Sequence, residues 1–127
     1  MPSDASNSPA ALADPGIGDV VEILANRWTV VVVTALERGS TRFGGLRSAT
    51  GMSAQLLSKT LRRLEENGLV ARTAYAEIPP RVEYELTPLG GTLCPIVRAI
   101  NSWAADHRDD VDAARAGEAD ATEPATR

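Results

Sequence analysis

The sequence predicts a mainly α-helical fold with one small β-hairpin, arranged as a winged helix-turn-helix. Apolar residues recur at helical spacing on both sides of a short element that ends in a Thr-Gly turn at residues 50–51. Two strand-like runs follow, separated by a pair of prolines that cannot take part in a central β-ladder. The resulting order is helix, helix, short helix, turn, helix, hairpin, helix, which places one exposed helix beside a hairpin wing.

Composition limits the kind of protein this is. A chain of 127 residues suits one domain, and its one cysteine and one histidine exclude an internal disulfide framework and most histidine-based zinc sites. No apolar run approaches the roughly 18 residues that cross a membrane. Residues 1–12 have no basic residue, unlike a signal peptide. We therefore expect a cytoplasmic protein without a metal, a cofactor or a membrane partner.

The charge is unevenly distributed along the chain. Residues 1–26 carry four acids and no base, and residues 104–127 carry seven acids and three bases. Residues 27–103 carry ten bases and six acids. Because the local field steers a polyanion more than the total charge does, the net charge of −4 does not exclude DNA binding.

The chain is expected to have three parts. Residues 1–16 are rich in Ala, Ser, Pro and Asp without periodicity, which indicates a flexible N-terminal arm. Residues 17–107 hold the predicted elements and form the expected folded domain. Residues 108–127 are acidic with few large apolar groups, and we expect a disordered tail or a frayed extension of the last helix.

The first three helices are predicted from different features of the sequence. Near Ile17 a helix begins whose apolar residues share one face. Residues 28–38 are ambiguous, because four consecutive valines favour a strand, whereas the length of the run and its stop at Gly39 favour a buried helix. Residues 43–49 form a short element with Phe43 and Leu46 three positions apart.

The fourth helix has the clearest signal. Ser53 is a good N-cap, the helix is expected to run to about Asn67, and Gly68 suits its end. Three leucines at i, i+4 and i+7 form its buried face, which directs polar side chains outwards. The buried leucines are Leu57, Leu61 and Leu64, and the outward set is Gln55, Lys59, Arg62 and Glu66, flanked by Ser58 and Arg63.

The hairpin and the last helix complete the pattern. Residues 69–78 and 82–86 are strand-like, and the Pro79-Pro80-Arg81 segment marks the bend. Thr87 can cap a last helix with Pro88 at its first position, and this helix is expected to reach about His107.

The exposed helix is the candidate DNA-reading element, since its width fits the major groove. Side chains in its first turns can reach base edges, while the later cations suit phosphates. The alternatives are a solvated basic face paired with Glu65 and Glu66, and an Arg81 that bridges Glu77 or Glu83 instead of touching DNA. The predicted DNA contacts are Arg42, Ser53, Gln55, Ser58, Lys59, Arg62, Arg63 and Arg81.

Four stretches resemble the HxlR family, a branch of the MarR-like bacterial transcription regulators. They are NRWT at 26–29, GSTRFGGLR at 39–47, SAQLLSKTLRRLEENGLV at 53–70 and PPRVEYELTPLG at 79–90. The resemblance covers about residues 17–107. It implies a homodimer, formed through the first and last helices, on a near-palindromic operator. Family members often carry a Cys-Pro redox pair before the first helix, but this chain has Asp14-Pro15 there, which puts oxidant sensing by that route in doubt.

The resemblance also suggests how such a regulator, which we expect to be a repressor, is controlled. Relatives often hold small effectors between the core and the dimerisation helices. The residues placed there are Trp28, Ile96, Ile100 and Trp103, as an effector pocket or as dimer interface. One hypothesis is release by a small apolar or aromatic ligand, and the other is a constitutive repressor.

Two other classes of protein remain, an enzyme and a protein-docking module. Cys94 and His107 are the one nucleophile–base pair available, but 13 positions on a single helix separate them by about 20 Å, so we expect no enzyme. The alternative function is a winged-helix module that docks a protein partner without binding DNA.

Overall fold

The computed structural model describes the backbone of residues 15–125 and the side chains of residues 16–118. Most of the predicted flexible arm, residues 1–14, lies outside the described residues. The chain divides into two compact units, one ending at Cys94 and the other beginning at Pro95. Within the described residues, no helix is long and apolar enough to cross a membrane.

The first unit begins with four helices, α1 (Pro15–Ala25), α2 (Arg27–Leu36), α3 (Phe43–Thr50) and α4 (Ala54–Glu66). The helical interpretation of the valine run is confirmed. The Asn26 side chain caps α2 by accepting a 2.8 Å hydrogen bond from the Trp28 backbone N–H. Val32 and Val33 are fully buried in the helix, so tertiary burial overrides their preference for strands.

A three-stranded antiparallel sheet follows the order β1-β3-β2. The strands are β1 (Thr41–Arg42), β2 (Val70–Tyr75) and β3 (Arg81–Leu86), with Thr41 opposite Tyr84 and Val70 opposite Leu86. The sequence predicts the hairpin but not β1. A strand of two residues is too short to show the alternation of apolar and polar side chains that predicts a strand. β2 also ends earlier than predicted: the Glu77 N–H already turns back to the Tyr75 carbonyl, 2.9 Å away.

The core of this unit lies between the helices and the inner side of the sheet. Leu36 of α2 and Leu46 of α3 are fully buried. Leu57, Leu61 and Leu64 of α4 are buried with them, as their spacing predicts. Because these leucines point into the core, the opposite side of α4 faces solvent.

The last helix is interrupted, which corrects the prediction of one helix from Pro88 onwards. The cap is as predicted, because the Thr87 hydroxyl oxygen accepts a 3.0 Å hydrogen bond from the Gly90 N–H. However, α5 (Pro88–Gly91) lasts a single turn before α6 (Cys94–Ala125) begins. Two consecutive glycines weaken the helix at this point, and Pro95 suits the first turn of a new one.

The second unit is helical well beyond His107, up to Ala125, which agrees with the second of the two readings of residues 108–127, an extension of the last helix. The apolar stripe ends near His107, but the following segment is rich in alanine, the best helix former. Arg108 and Asp112 also form an i,i+4 pair with 3.8 Å between Nε and Oδ2. Local propensity therefore continues the helix after the apolar signal stops.

Candidate nucleic-acid interface

A tight turn after α3 sets the position of α4. Gly51 ends α3 in the left-handed region, with φ of 70°, where a side chain would be strained. The Arg47 Nε donates a 3.5 Å hydrogen bond to the Met52 carbonyl across the turn. Arg47 therefore supports the helix-turn-helix itself.

Ser53 acts as the N-cap of α4. Its side-chain oxygen accepts a 3.2 Å hydrogen bond from the Leu56 backbone N–H, which satisfies one of the free donors in the first turn. This confirms the predicted cap, whereas its predicted contact with DNA stays a prediction.

Replacing Ser53 by alanine is expected to lower the free energy of unfolding by about 1 kcal/mol, because the cap is lost. Ser53→Asp keeps a capping oxygen and should restore stability. Urea unfolding followed by circular dichroism measures both variants. An equal loss of stability in the two would contradict the capping role.

The solvent side of α4 carries a polar surface that we call the α4 face, defined by Gln55, Ser58, Lys59 and Arg62. These four exposed side chains line one open depression together with Ala54. Among the side chains described for residues 16–118, none forms a salt bridge with Lys59 or Arg62. The alternative pairing of Arg62 with Glu65 or Glu66 is therefore not formed, and the α4 face keeps both positive charges.

Arg63 lies apart from this face. Its Nη2 is 3.9 Å from Oε1 of Glu22 on α1, and it lines a separate cleft beside Trp28. The structure thus places the two neighbouring arginines of α4 in different surroundings. Helical spacing alone placed both within reach of DNA.

Arg81 is neutralised, in agreement with the alternative interpretation from the sequence. Its Nη1 donates a 2.7 Å hydrogen bond to Glu83 Oε2, and its Nη2 donates a 3.1 Å hydrogen bond to Glu77 Oε1. The guanidinium carbon also lies 3.8 Å from the centroid of the Tyr75 ring. Arg81 therefore joins β2, β3 and the connecting loop at the loop end of the hairpin, and this arrangement disfavours the predicted phosphate contact.

Other cations lie near the hairpin. Arg42 is exposed at the N-cap position of α3 and is opposite Glu83 in the sheet. Ser40 donates a 2.8 Å hydrogen bond to the same glutamate, which links the loop before β1 to the hairpin. Arg72 was not among the predicted contacts, yet it is exposed on the edge strand β2. Its position as a basic residue within the hairpin is the signal that could have indicated it.

The residues predicted for an effector pocket or dimer interface fall in different units. In the first unit, Trp28 is half-buried against the core, and the Arg27 guanidinium carbon lies 4.8 Å from its ring centroid. In the second unit, Ile96, Ile100 and Trp103 are exposed at helical spacing along α6. Trp103 stacks on His107 with 4.5 Å between ring centroids. Trp28 therefore packs against the core with part of its surface exposed, and the α6 residues form an exposed apolar stripe.

Comparison with known proteins identifies the family. Residues 23–112 match the model of the HxlR-like helix-turn-helix family. The chain is 40% identical over 86 residues to the uncharacterized HTH-type transcriptional regulator YtfH of Escherichia coli, which covers 67% of this chain and 68% of the relative. It is 38% identical over 96 residues to YvaP of Bacillus subtilis, another uncharacterized HTH-type transcriptional regulator, which covers 75% of this chain and 89% of the relative.

Solved structures show the same fold. A transcriptional regulator described as ytfH from Salmonella typhimurium aligns with a TM-score of 0.73 and 35% identity, over 85% of this chain and 96% of that chain. The redox regulator HypR in its reduced form aligns with a TM-score of 0.71 and 30% identity, over 77% and 98% of the two chains. This family consists of transcriptional regulators and not of enzymes. The chain belongs to the HxlR-like helix-turn-helix family of transcriptional regulators.

Proposed function

We propose that the protein is a sequence-specific DNA-binding repressor that inserts α4 into the major groove. The observation that carries this proposal is the α4 face, on a helix buried on its other side. It projects two neutral hydrogen-bonding side chains and two cations that form no salt bridge with the side chains described for residues 16–118. The major groove, about 12 Å wide, admits an α-helix. The depression on this face is lined by no carboxylate that would repel phosphates.

The side chains of the α4 face suit different parts of the duplex. Gln55 and Ser58 lie in the first turns of the helix, and a glutamine amide can make two hydrogen bonds to adenine. Lys59 and Arg62 follow and suit phosphates, which hold the protein in register. Arg42 and Arg72 add positive charge near the hairpin. Ser53 serves mainly as the cap, and Arg63 and Arg81 contribute less than the sequence predicts.

A homodimer accounts for apolar surface that each unit leaves exposed. In the first unit, Ile17, Val20 and Val21 of α1 are 39–56% exposed. In the second unit, Trp103 is 58% exposed and is preceded by Ile96 and Ile100 on the same helix. Contiguous exposed apolar patches mark interaction surfaces, and a second copy of the chain is the partner that the family resemblance implies. Two copies of α4 about one helical turn of DNA apart would match a near-palindromic operator.

A dimer bound over a promoter would repress by occupying the DNA, which requires no contact with polymerase. We place this activity in the cytoplasm, where the chromosome of a bacterial cell lies. Release by a small molecule would require that the ligand bind the DNA-free conformation more tightly than the DNA-bound one.

The proposal is tested by titrating the protein with DNA from upstream of its own gene and with a scrambled duplex, at two salt concentrations. We expect at least about a thousandfold preference for the native fragment and a steep salt dependence. The stoichiometry should be two chains per operator. Absence of binding to either duplex at low salt would refute the proposal and favour the alternative of a protein-docking module.

A further inference from the structure

The loop end of the hairpin holds a cluster of three charged side chains that the proposed DNA contacts leave unused. Two carboxylates, those of Glu77 and Glu83, surround the guanidinium of Arg81. The three groups together therefore carry one net negative charge. This charge would repel a DNA phosphate, whereas the guanidinium alone would attract one.

The guanidinium of Arg81 is enclosed, but its hydrogen-bonding groups are not all satisfied. Nη1 and Nη2 donate to the two carboxylates, and the Tyr75 ring covers one face. Nε lies 3.0 Å from Oε2 of Glu77, yet its N–H does not point at that oxygen, and it is buried without an acceptor among the described residues. A phosphate can accept from Nε and one Nη at the same time, so it would satisfy the donor that the glutamates leave.

The two glutamates are held to different degrees. Glu83 lies in β3 with a side chain that is only 17% exposed, and it also accepts a 2.8 Å hydrogen bond from the Ser40 hydroxyl. Glu77 lies in the exposed loop of residues 76–80, and its side chain is 50% exposed. Among the described side chains, Arg81 is its one salt-bridge partner. Glu83 is therefore the fixed part of the cluster, whereas Glu77 can release Arg81 without disturbing the sheet.

We propose that Glu77 is a positioning residue that withholds Arg81 from DNA and so lowers the affinity of the protein for its operator. Its carboxylate is tethered four residues from the guanidinium, and it competes with a phosphate at a high effective concentration. Removal of its charge would leave Nε and Nη2 open to a phosphate, while Nη1 stays on Glu83. The inference rests on the proposed function, because its effect is on DNA affinity.

The first test measures operator binding by fluorescence anisotropy. Glu77→Gln is expected to bind about tenfold more tightly, which corresponds to about 1.4 kcal/mol. The salt dependence should become steeper by about 0.9 in the slope of log affinity against log salt, because one phosphate contact is gained. Glu85→Gln is the matched control, since it removes the same charge from an exposed position on β3 where no described side chain forms a salt bridge with it. It should change the affinity by no more than about twofold, because salt screens exposed charges.

The Arg81→Gln substitution separates a direct contact from the general effect of charge. It removes one positive charge both from the wild type and from Glu77→Gln, so its long-range effect is the same in the two proteins. It should cost about tenfold more affinity in Glu77→Gln, because only there does Arg81 reach the DNA. The inference is overturned if Arg81→Gln costs the same in both proteins, or if Glu77→Gln gains no more than Glu85→Gln.

A measurement without DNA tests the restraint on Arg81 independently of the proposed function. NMR of protein labelled with ¹⁵N-arginine follows the Nε–H of Arg81, which is assigned by its absence in Arg81→Gln. This proton should exchange with water at least about tenfold faster in Glu77→Gln than in the wild type, and at an unchanged rate in Glu85→Gln. Faster exchange in a protein that binds no DNA would support the restraint and refute the proposed function. Equal exchange in all three proteins would refute the restraint itself.

Discussion

The Lys59→Ala/Arg62→Ala variant is expected to lose at least about a hundredfold in affinity for operator DNA, because two charge-assisted contacts contribute about 1.5–3 kcal/mol each. Neither cation has a salt-bridge partner among the described side chains, so its removal disturbs no ion pair of the fold. The slope of log affinity against log salt should fall by about 0.9 per lost phosphate contact. Fluorescence anisotropy with labelled operator at several salt concentrations measures both quantities.

A matched control separates this effect from a change in net charge. Arg108→Ala/Arg115→Ala removes the same two charges from exposed positions on α6 in the second unit. It should leave the salt slope nearly unchanged. The assignment of the α4 face fails if both double variants lose affinity equally, or if the α4 variant binds with an unaltered slope.

The Gly90→Ala variant is expected to lose about 1–3 kcal/mol of folding free energy through overpacking. A Cβ at this position would overlap the backbone carbonyl oxygen of Leu69 and would lie 3.3 Å from Cδ2 of Leu86. That carbonyl cannot move away freely, because it accepts a 3.1 Å hydrogen bond from the Thr87 N–H. The close approach holds α5 against the turn between α4 and β2.

The neighbouring glycine is the control. A Cβ on Gly91 would meet no atom within 4 Å, and alanine favours helix over glycine by up to about 1 kcal/mol. Gly91→Ala should therefore be neutral or stabilising in urea unfolding. Equal destabilisation by the two substitutions would show that the loss comes from helix geometry and not from the contact with Leu69.

The features that the sequence predicts well depend on neighbouring residues. Ser53, the three buried leucines of α4 and Gly68 act within one helix, so their spacing suffices to locate that helix and its exposed side. The valine run is intermediate: its length and its glycine stop favour a helix, its valines favour a strand, and burial of Val32 and Val33 decides for the helix. The α4 face could be predicted on the same grounds, because it is the complement of a buried stripe.

The features that cannot be predicted from the sequence depend on tertiary contacts. The two glycines at 90 and 91 look alike in sequence, but only the first meets a backbone carbonyl from an earlier turn. For Arg81 the sequence allows both a DNA contact and a bridge to Glu77 or Glu83, and the choice between them depends on where the hairpin places these two glutamates. The separation of Arg62 from Arg63 likewise depends on where α1 and α2 pack against α4.

Arg81 is held by Glu77 and Glu83, so the hairpin has one cation fewer to offer to DNA. Recognition of an operator would then depend mainly on the α4 face. Each base read by a bidentate contact contributes only about 1–3 kcal/mol of discrimination, and the α4 face offers few side chains that can make one. Much of the selectivity would then come from the distance between half-sites. One base pair inserted between the two half-sites rotates one half-site relative to the other by about a tenth of a helical turn. Such a regulator would tolerate base changes within a half-site better than insertions at the centre.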